Sequence, residues 1–461
     1  MPLPKKWCLP KPRKLNDEEA AVLVERVRDL ADLKINGLDK AVEKNIEANR
    51  KTFTRLEVYD KDGKEVKNAE IHIEQVSHSF KFGCNAFLAG QFDSDEKNKA
   101  YEQIFKDMFN QVVVPFYWKD DEPEQNQWRF EKDSPFIYRR PPAEAMLEFC
   151  EKTNCEPKGH NLLWCNPSIG LPKWLLDKDK FTVAKAIEKR FKLLAEKYAD
   201  RIPVWDVTNE FIGACDGLKY LPDDALETAW KRANDLFHDN HLILNDFQCL
   251  FNAHYYKGKA SALYLQAKKL IENGVKIDGI GMQCHLFHNE DLLCDDEPQK
   301  FSAEHMIKMI NTYSTLGRDI HISEITIPSY DGREKYLEMQ NIITENMYKL
   351  WFSMKNVKSI VWWNLVDNTA IKVSPNDPFD ENYFGGGLLL NDFTQKPAYK
   401  TLDRLINKEW HTSEDVVTNE KGYASFNGFN GDYEVKIKLG KDEVVKRITV
   451  SPEQPLVTII L

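Results

Sequence analysis

EPKGHNLLW (156–164), TVAKAIEKRFKLLAEKYADR (182–201) and PVWDVTNEF (203–211) follow one another near the middle of the chain. The first and third are short apolar runs of the kind that form buried strands, and the second has apolar residues at helical spacing. A strand, a helix and a second strand in this order are typical of a parallel sheet.

The same alternation extends in both directions. It predicts eight strands, at 79–87, 111–118, 156–164, 203–211, 241–247, 278–287, 319–328 and 357–368. Helical patterns separate the strands, and the segments 336–354 and 396–410 are further examples. This order predicts an α/β fold, a (β/α)8 TIM barrel with insertions. A doubly wound sheet is the alternative, but no glycine-rich phosphate loop follows the first strand.

The segments outside the barrel have a different pattern. Residues 1–50 form an N-terminal segment with a charged helical pattern from 16, and 51–78 contain two alternating runs around a KDG turn. These runs predict a β-hairpin over 54–75. The barrel occupies 79–410, and 411–461 predict four or five short strands. Because neither β segment is large enough to bury a core alone, we expect them to form one small β-sandwich-like module.

Composition limits the possible partners. The chain has 461 residues and a net charge of −10, which disfavours nucleic acid because phosphate backbones are also negative. No apolar run approaches the roughly 18 residues that a membrane span requires, so no membrane partner is expected. A neutral polysaccharide or oligosaccharide is compatible with this charge.

The cysteines and the N-terminus bear on the compartment. The nine cysteines are scattered without CxxC or zinc spacing, which predicts free thiols in a reducing compartment and no metal or other cofactor. No apolar segment follows the basic residues at the start of the chain. We therefore expect a cytoplasmic protein, or a secreted one whose signal peptide is absent from this sequence.

Two glutamates interrupt predicted strands near their carboxyl ends, where TIM barrels hold their active sites. Glu210 lies on the fourth strand and Glu324 on the seventh, on opposite sides of the barrel mouth. A pair of carboxyl groups facing each other across a cleft is what glycoside cleavage requires. Two surface or salt-bridged glutamates are the structural alternative. The other polar and aromatic residues at strand ends are Lys158, His160, Trp164, Asn209, Asn245, Asp246, Gln283, His285, Trp362, Trp363 and Asp367.

Five segments carry a resemblance to a known family. VWDVTNEF (204–211), IHISEITIP (320–328), KGHNLLW (158–164), GIGMQCHL (279–286) and LLLNDFTQKPAYKTL (388–402) resemble segments of glycoside hydrolase family 10, the endo-β-1,4-xylanase family. They occur in the family's order. The resemblance implies a retaining glycoside hydrolase with Glu210 as acid/base and Glu324 as nucleophile, about 5–5.5 Å apart.

The resemblance also implies roles for neighbouring residues. Asn209 would bind the sugar 2-hydroxyl, and His285 would hydrogen-bond the nucleophile and keep it ionised. His160 and Gln283 would line the same subsite. The aromatic floor of that subsite would consist of Trp164 and Trp363. Ordinary core packing is the alternative for these histidines and tryptophans.

The chain departs from the family pattern around the sugar subsites. PFYWKDDEPEQ (115–125) is shorter than the family's P-E-N-x-x-K-W segment, and Phe116 and Tyr117 replace its polar residues. Cys165, Thr326 and Ile371 stand where the family usually has His, Asp and Trp. We expect Tyr117 or Trp118 to occupy the space of the missing lysine. Plain xylan would then be a weaker substrate than a decorated or otherwise distinct β-glycoside.

Three other functions remain open from the sequence. The chain could be a family-10-like β-glycosidase acting on a glycoside other than xylan. It could be a barrel that binds carbohydrate without cleaving it, although both glutamates are present. A metal-dependent barrel enzyme using His160 and His285 is the third, although the candidate ligands lack tight local spacing.

Overall fold

A closed barrel of eight parallel strands forms the centre of the computed structural model, which describes residues 13–212, 215–247, 256–287, 290, 302–371, 380–440 and 442–461. The barrel strands are β3 (Lys81–Asn85), β4 (Gln111–Pro115), β5 (Glu156–Trp164), β6 (Val204–Asn209), β7 (His241–Asp246), β8 (Gly279–His285), β9 (Asp319–Thr326) and β10 (Val357–Trp362). Pairing of β10 with β3 closes the barrel. Each strand lies within a predicted apolar run, and the predicted TIM barrel is confirmed.

Helices surround the barrel in the expected order. They are α3 (Asp95–Met108), α4 (Trp118–Asp121), α5 (Ala143–Thr153), α6 (Lys180–Tyr198), α7 (Ala225–Leu236), α8 (Ala262–Glu272), α9 (Ala303–Ser314), α10 (Glu334–Ser353) and α11 (Pro397–Arg404). Helix α6 shows why the pattern forms a helix. The side chain of Asp179 caps its first turn by accepting from the N–H groups of Phe181 and Thr182. Its apolar residues, spaced three or four apart, then face the barrel. No helix among the described residues is long and apolar enough to cross a membrane.

The N-terminal segment forms two helices that lie against α10. These are α1 (Asp17–Ala31) and α2 (Asp39–Arg50), and Asn16 and Glu19 form a capping box at the start of α1. The guanidinium of Arg50 donates to the carbonyl groups of Phe352, Met354 and Val357, at 2.5, 2.6 and 2.8 Å. This buried arginine therefore joins the end of α2 to the segment that leads into the last barrel strand.

The predicted β-hairpin is wrong. Strand β1 (Lys51–Tyr59) pairs with β12 (Tyr423–Phe429) and β15 (Leu456–Ile460). Strand β2 (Glu70–His78) belongs to a second sheet with β11 (Ser413–Val417), β13 (Gly431–Leu439) and β14 (Asp442–Val450). After β1 the chain reverses direction and forms one antiparallel bridge, between Tyr59 and Glu65. It then passes to the second sheet, where β2 begins. Alternating apolar residues are equally compatible with two paired strands and with two strands on facing sheets, so the pattern could not distinguish them.

The two sheets share one hydrophobic core. Leu56 of β1, Ile73 of β2 and Val435 of β13 are fully buried in it, and the Tyr433 hydroxyl donates to the Phe429 carbonyl at 2.5 Å. Side chains from before and after the barrel in sequence therefore pack together. This arrangement brings the segments on either side of the barrel, 51–78 and 411–461, into one sandwich.

Replacing Ile73 by alanine tests this shared core. Because Ile73 is fully buried between the sheets, Ile73→Ala should lower the free energy of unfolding of the sandwich by about 2–5 kcal/mol. Val445→Ala is the matched control, since Val445 is 50% exposed on β14, and we expect a change below about 0.5 kcal/mol. Chemical denaturation followed by circular dichroism measures both. Equal effects of the two substitutions would show that β2 does not contribute to the core.

Candidate active site

The carboxyl ends of the barrel strands place most of the predicted site residues side by side. Hydrogen bonds connect Asn209, Glu210, Gln283, His285 and Glu324 into one network through Asn245. A cluster of aromatic rings borders this network and includes Tyr117, His160, Trp164 and Trp363.

Glu210 follows immediately after β6 and has an unusual backbone conformation. Its φ is +54°, in the left-handed region that non-glycine residues rarely adopt. The Glu210 N–H donates to the Asn245 carbonyl at 3.0 Å, which holds this conformation in place. Gln283 Nε2 donates to Glu210 Oε1, also at 3.0 Å. The strained backbone thus directs this carboxyl group toward the strands opposite.

The surroundings of Glu210 favour its protonated form. Burial and the negative charge of Glu324 raise its pKa to about 8, and Asp246 acts in the same direction. Hydrogen bonds from Gln283 and Asn209 oppose the increase without cancelling it. A carboxyl group with this pKa carries its proton at neutral pH, which a general acid requires.

Glu324 receives hydrogen bonds on both oxygens. Asn245 Nδ2 donates to Oε1 at 2.9 Å, and His285 Nε2 lies 3.0 Å from Oε2. The other ring nitrogen of His285 is 2.9 Å from the Thr326 hydroxyl. With its proton on Nε2, His285 donates to the carboxylate and accepts from Thr326. The ring is thus fixed at both nitrogens, and its plane stacks on Phe287 with centroids 4.7 Å apart.

Asn245, at the end of β7, connects the two glutamates. Its Nδ2 donates to Asn209 Oδ1 at 2.8 Å as well as to Glu324, while its backbone carbonyl holds Glu210. Its Oδ1 accepts from the Ser323 hydroxyl. The sequence placed Asn245 among the strand-end residues but gave it no role. The pairing of β6 with β7, of β7 with β8 and of β8 with β9 places the Asn245 side chain between Asn209 and Glu324, which the sequence alone does not show.

Aromatic rings form the other wall of the site. The Phe87 ring makes edge contacts with Tyr117 and Trp363, at centroid distances of 5.9 and 5.4 Å. Trp164 lies 5.8 Å from Tyr117, and its buried indole N–H has no hydrogen-bond partner among the described residues. The wall combines apolar faces with a polar group that a ligand hydroxyl could satisfy.

His160 is held in this wall by a buried ion pair beneath it. Its Nδ1 is 2.8 Å from Asp206 Oδ2, and Lys158 Nζ is 2.9 Å from the same oxygen. Burial alone would raise the pKa of Asp206, but the Lys158 ammonium and the His160 hydrogen bond hold it below its usual value. The ionised Asp206 therefore orients the imidazole from inside the barrel.

Comparison with known proteins identifies the family. The sequence model described as glycosyl hydrolase family 10 matches residues 73–404. The chain belongs to glycosyl hydrolase family 10. The resemblance seen in the five segments is confirmed, and the chain is a glycoside hydrolase that resembles endo-xylanases.

The sequence identities between this chain and its individual relatives are low. Endo-1,4-beta-xylanase B of Thermotoga neapolitana is 26% identical over 337 residues, which cover 70% of this chain and 88% of the xylanase. The anti-sigma-I factor RsgI6 of Acetivibrio thermocellus is 24% identical over 408 residues, 88% of this chain but only 47% of that protein. The crystal structure of xylanase 10B from Thermotoga petrophila with xylobiose has a TM-score of 0.57 at 23% identity. The matched region covers 72% of this chain and 95% of the xylanase chain, which supports the barrel fold.

The departures from the family pattern have different consequences at neighbouring positions. Of the residues expected to alter the site, Phe116 and Trp118 do not reach it. Phe116 packs between barrel and helices against Trp205, and the Trp118 indole donates to Glu122. The expectation is wrong for Phe116, and of the two alternatives Tyr117 and Trp118 it is Trp118 that fails, because Trp118 begins α4 and turns toward Glu122. Tyr117 alone faces the site.

A buried arginine accompanies Tyr117. The guanidinium carbon of Arg140 lies 3.7 Å from the centre of the Tyr117 ring, and its Nε donates to Asp120 Oδ2 at 2.9 Å. No sequence pattern pointed to Arg140, because it lies far from Tyr117 along the chain, in the loop before α5. The pattern RRPP offered no periodicity that could place it at the site.

The coupling between the two glutamates can be tested by titration. In the intact chain the Glu210 side chain should titrate near pH 8, and Glu324→Gln should lower its pKa because the neighbouring negative charge is removed. NMR of carbon-13-labelled glutamate carboxyls measures both values directly. Glu434→Gln in the sandwich is the control and should leave Glu210 unchanged. An unaltered Glu210 titration in Glu324→Gln would contradict the proposed coupling.

Proposed function

We propose that this chain cleaves β-1,4-xylan, or a related decorated plant polysaccharide, with retention of configuration by double displacement. The observation that supports it most is the unequal environment of the two carboxyls. Glu210 has a pKa raised to about 8, while Glu324 accepts hydrogen bonds from Asn245 and His285. One group is thus prepared to give a proton and the other to attack.

In the first step, the Glu324 carboxylate attacks the anomeric carbon while Glu210 donates its proton to the glycosidic oxygen. The bond between sugar and leaving group breaks, and a covalent glycosyl ester forms on Glu324. In the second step, ionised Glu210 removes a proton from water, which attacks the same carbon and releases Glu324. The two inversions restore the β configuration in the product.

The remaining site residues bind the sugar in this proposal. Asn209 bonds the 2-hydroxyl, an interaction that strengthens as positive charge develops at the anomeric carbon. Gln283 and His160 line the same subsite, and Trp164 and Trp363 form its aromatic floor together with Tyr117. Because the Trp164 N–H lacks a partner among the described residues, it is a further candidate donor to a sugar hydroxyl.

We also propose a division of the chain by function. Residues 79–410 form the catalytic barrel, and 51–78 together with 411–461 form an accessory module that stabilises it. Helices α1 and α2 support α10 through contacts such as Arg28 to Glu338 at 2.6 Å. The substrate is a polysaccharide or oligosaccharide that enters at the barrel mouth.

Azide rescue tests the two roles separately. With an activated aryl β-xyloside, Glu210→Ala should still form the glycosyl enzyme but hydrolyse it slowly, and azide should restore turnover and give the β-glycosyl azide. Glu324→Gly with azide should instead give the α-glycosyl azide. We expect each substitution to lower kcat on xylan at least roughly 100-fold. Product anomers are assigned by proton NMR. An α-anomer as the first product of the unsubstituted enzyme would contradict the retaining mechanism.

The substrate preference follows from the changed segment after β4. Each lost hydrogen bond to a sugar costs about 0.5–1.5 kcal/mol, so several losses could weaken binding of plain xylan more than tenfold. We expect kcat/KM to be lower on linear xylo-oligosaccharides than on branched ones of equal length. A value on the linear substrates equal to or above that on every decorated one would show that other residues, such as Arg140, replace the lost contacts.

A further inference from the structure

Two exposed aromatic side chains lie in the loop that joins α4 to α5. Phe136 is 71% exposed and Tyr138 is 40% exposed, although the neighbouring Arg139 and Arg140 are buried. Exposed apolar side chains that lie next to each other are a candidate ligand contact surface, whereas single ones are common on any protein. These two rings are therefore a candidate contact surface if the loop holds them in place.

The exposure does not result from a loosely held loop. Arg129 Nε donates to the Pro135 carbonyl at 2.7 Å, and Gln91 Nε2 donates to the Ile137 carbonyl at 3.1 Å. The Arg139 N–H in turn donates to Gln91 Oε1 at 2.6 Å. The backbone on both sides of each ring is thus fixed from two directions. Rings presented by a fixed backbone lose little conformational entropy when a ligand binds.

The loop is directly connected to the wall of the site. The Tyr138 hydroxyl donates to the Thr369 carbonyl at 3.0 Å, and Arg139 Nη2 donates to Asn364 Oδ1 at 2.8 Å. Asn364 immediately follows Trp363, and on the other side Arg140 lies over Tyr117. Tyr138 therefore continues the aromatic wall outward, between the segments that follow β4 and β10, and Phe136 precedes it by two residues on the same fixed loop.

We propose that Phe136 and Tyr138 form a second sugar platform at this rim, stacking against the apolar face of a pyranose ring in the chain being cleaved. The identity of the ligand rests on the proposed function. The side chains of Arg139 and Arg140 are buried and turned toward Asn364 and Asp120, so this rim offers a ligand the apolar faces of the two rings rather than a charged group. A polymer held at the two glutamates must extend beyond them, and the platform lies where one end leaves the site.

The affinity for oligosaccharides of increasing length tests this platform. In the full chain carrying Glu210→Ala, which slows turnover at least roughly 100-fold, calorimetry gives Kd for xylobiose through xylohexaose. Phe136→Ala and Tyr138→Ala should each weaken binding of the longest sugar about tenfold and leave the shortest unchanged. Tyr138→Phe keeps the ring and should retain the affinity. Phe53→Ala is the matched control, since Phe53 is 67% exposed on the sandwich.

The outcomes separate this proposal from the proposed function. Unchanged affinity for xylohexaose in both alanine variants, an equal loss at every length, or no binding of any oligosaccharide would overturn the platform. Hydrolysis of β-xylosides by the unsubstituted chain is measured independently. If the length-dependent loss is found but no β-xyloside is cleaved, the platform stands and the proposed function fails. Cleavage without a length-dependent loss overturns only the platform.

Discussion

Repulsion between two carboxyl groups in a buried site is the constraint on which the arrangement at the barrel mouth depends. In a medium of low dielectric constant, two nearby carboxylates cannot both remain charged, so one keeps its proton. The surrounding groups determine which one. Glu324 accepts from Asn245 and His285, whereas Glu210 has its pKa raised by burial and by Glu324. The asymmetry therefore comes from neighbours on other strands.

The barrel supplies those neighbours only because small residues make room for them. A Cβ on Gly281 would lie 2.4 Å from Asn245 Oδ1, and one on Gly159 would lie 2.2 Å from the Trp205 ring. A side chain at 281 would displace the Asn245 amide, and one at 159 would displace the Trp205 ring, which packs against Phe116 between the barrel and the helices. The amide of Asn245 thus reaches Glu324 because the adjacent strand has no side chain at that position. Packing inside the barrel and the geometry of the site are parts of the same structure.

The sequence predicts the barrel because its strands are continuous apolar runs between helical patterns, and it predicts the glutamates because a carboxyl group interrupts such a run. It could not assign β1 and β2 to different sheets, since alternating apolar and polar residues indicate only that one face of each strand is buried. Neither could it separate Phe116 from Tyr117, because both lie in the short connection between β4 and α4, where no periodic pattern shows which side chain turns toward the site. Arg140 reaches the site through a loop path that no local pattern describes.

The residues around Tyr117 are structurally separate from the network that holds the two glutamates. Tyr117 and Arg140 lie in the aromatic wall, on the side of His160 and Trp164, whereas the network around Glu210 and Glu324 is built from β6 to β9. Residues on β4 and its loop can therefore change without breaking the hydrogen bonds that fix the two carboxyls. The residues around Tyr117 can therefore vary independently of the network that holds the two glutamates.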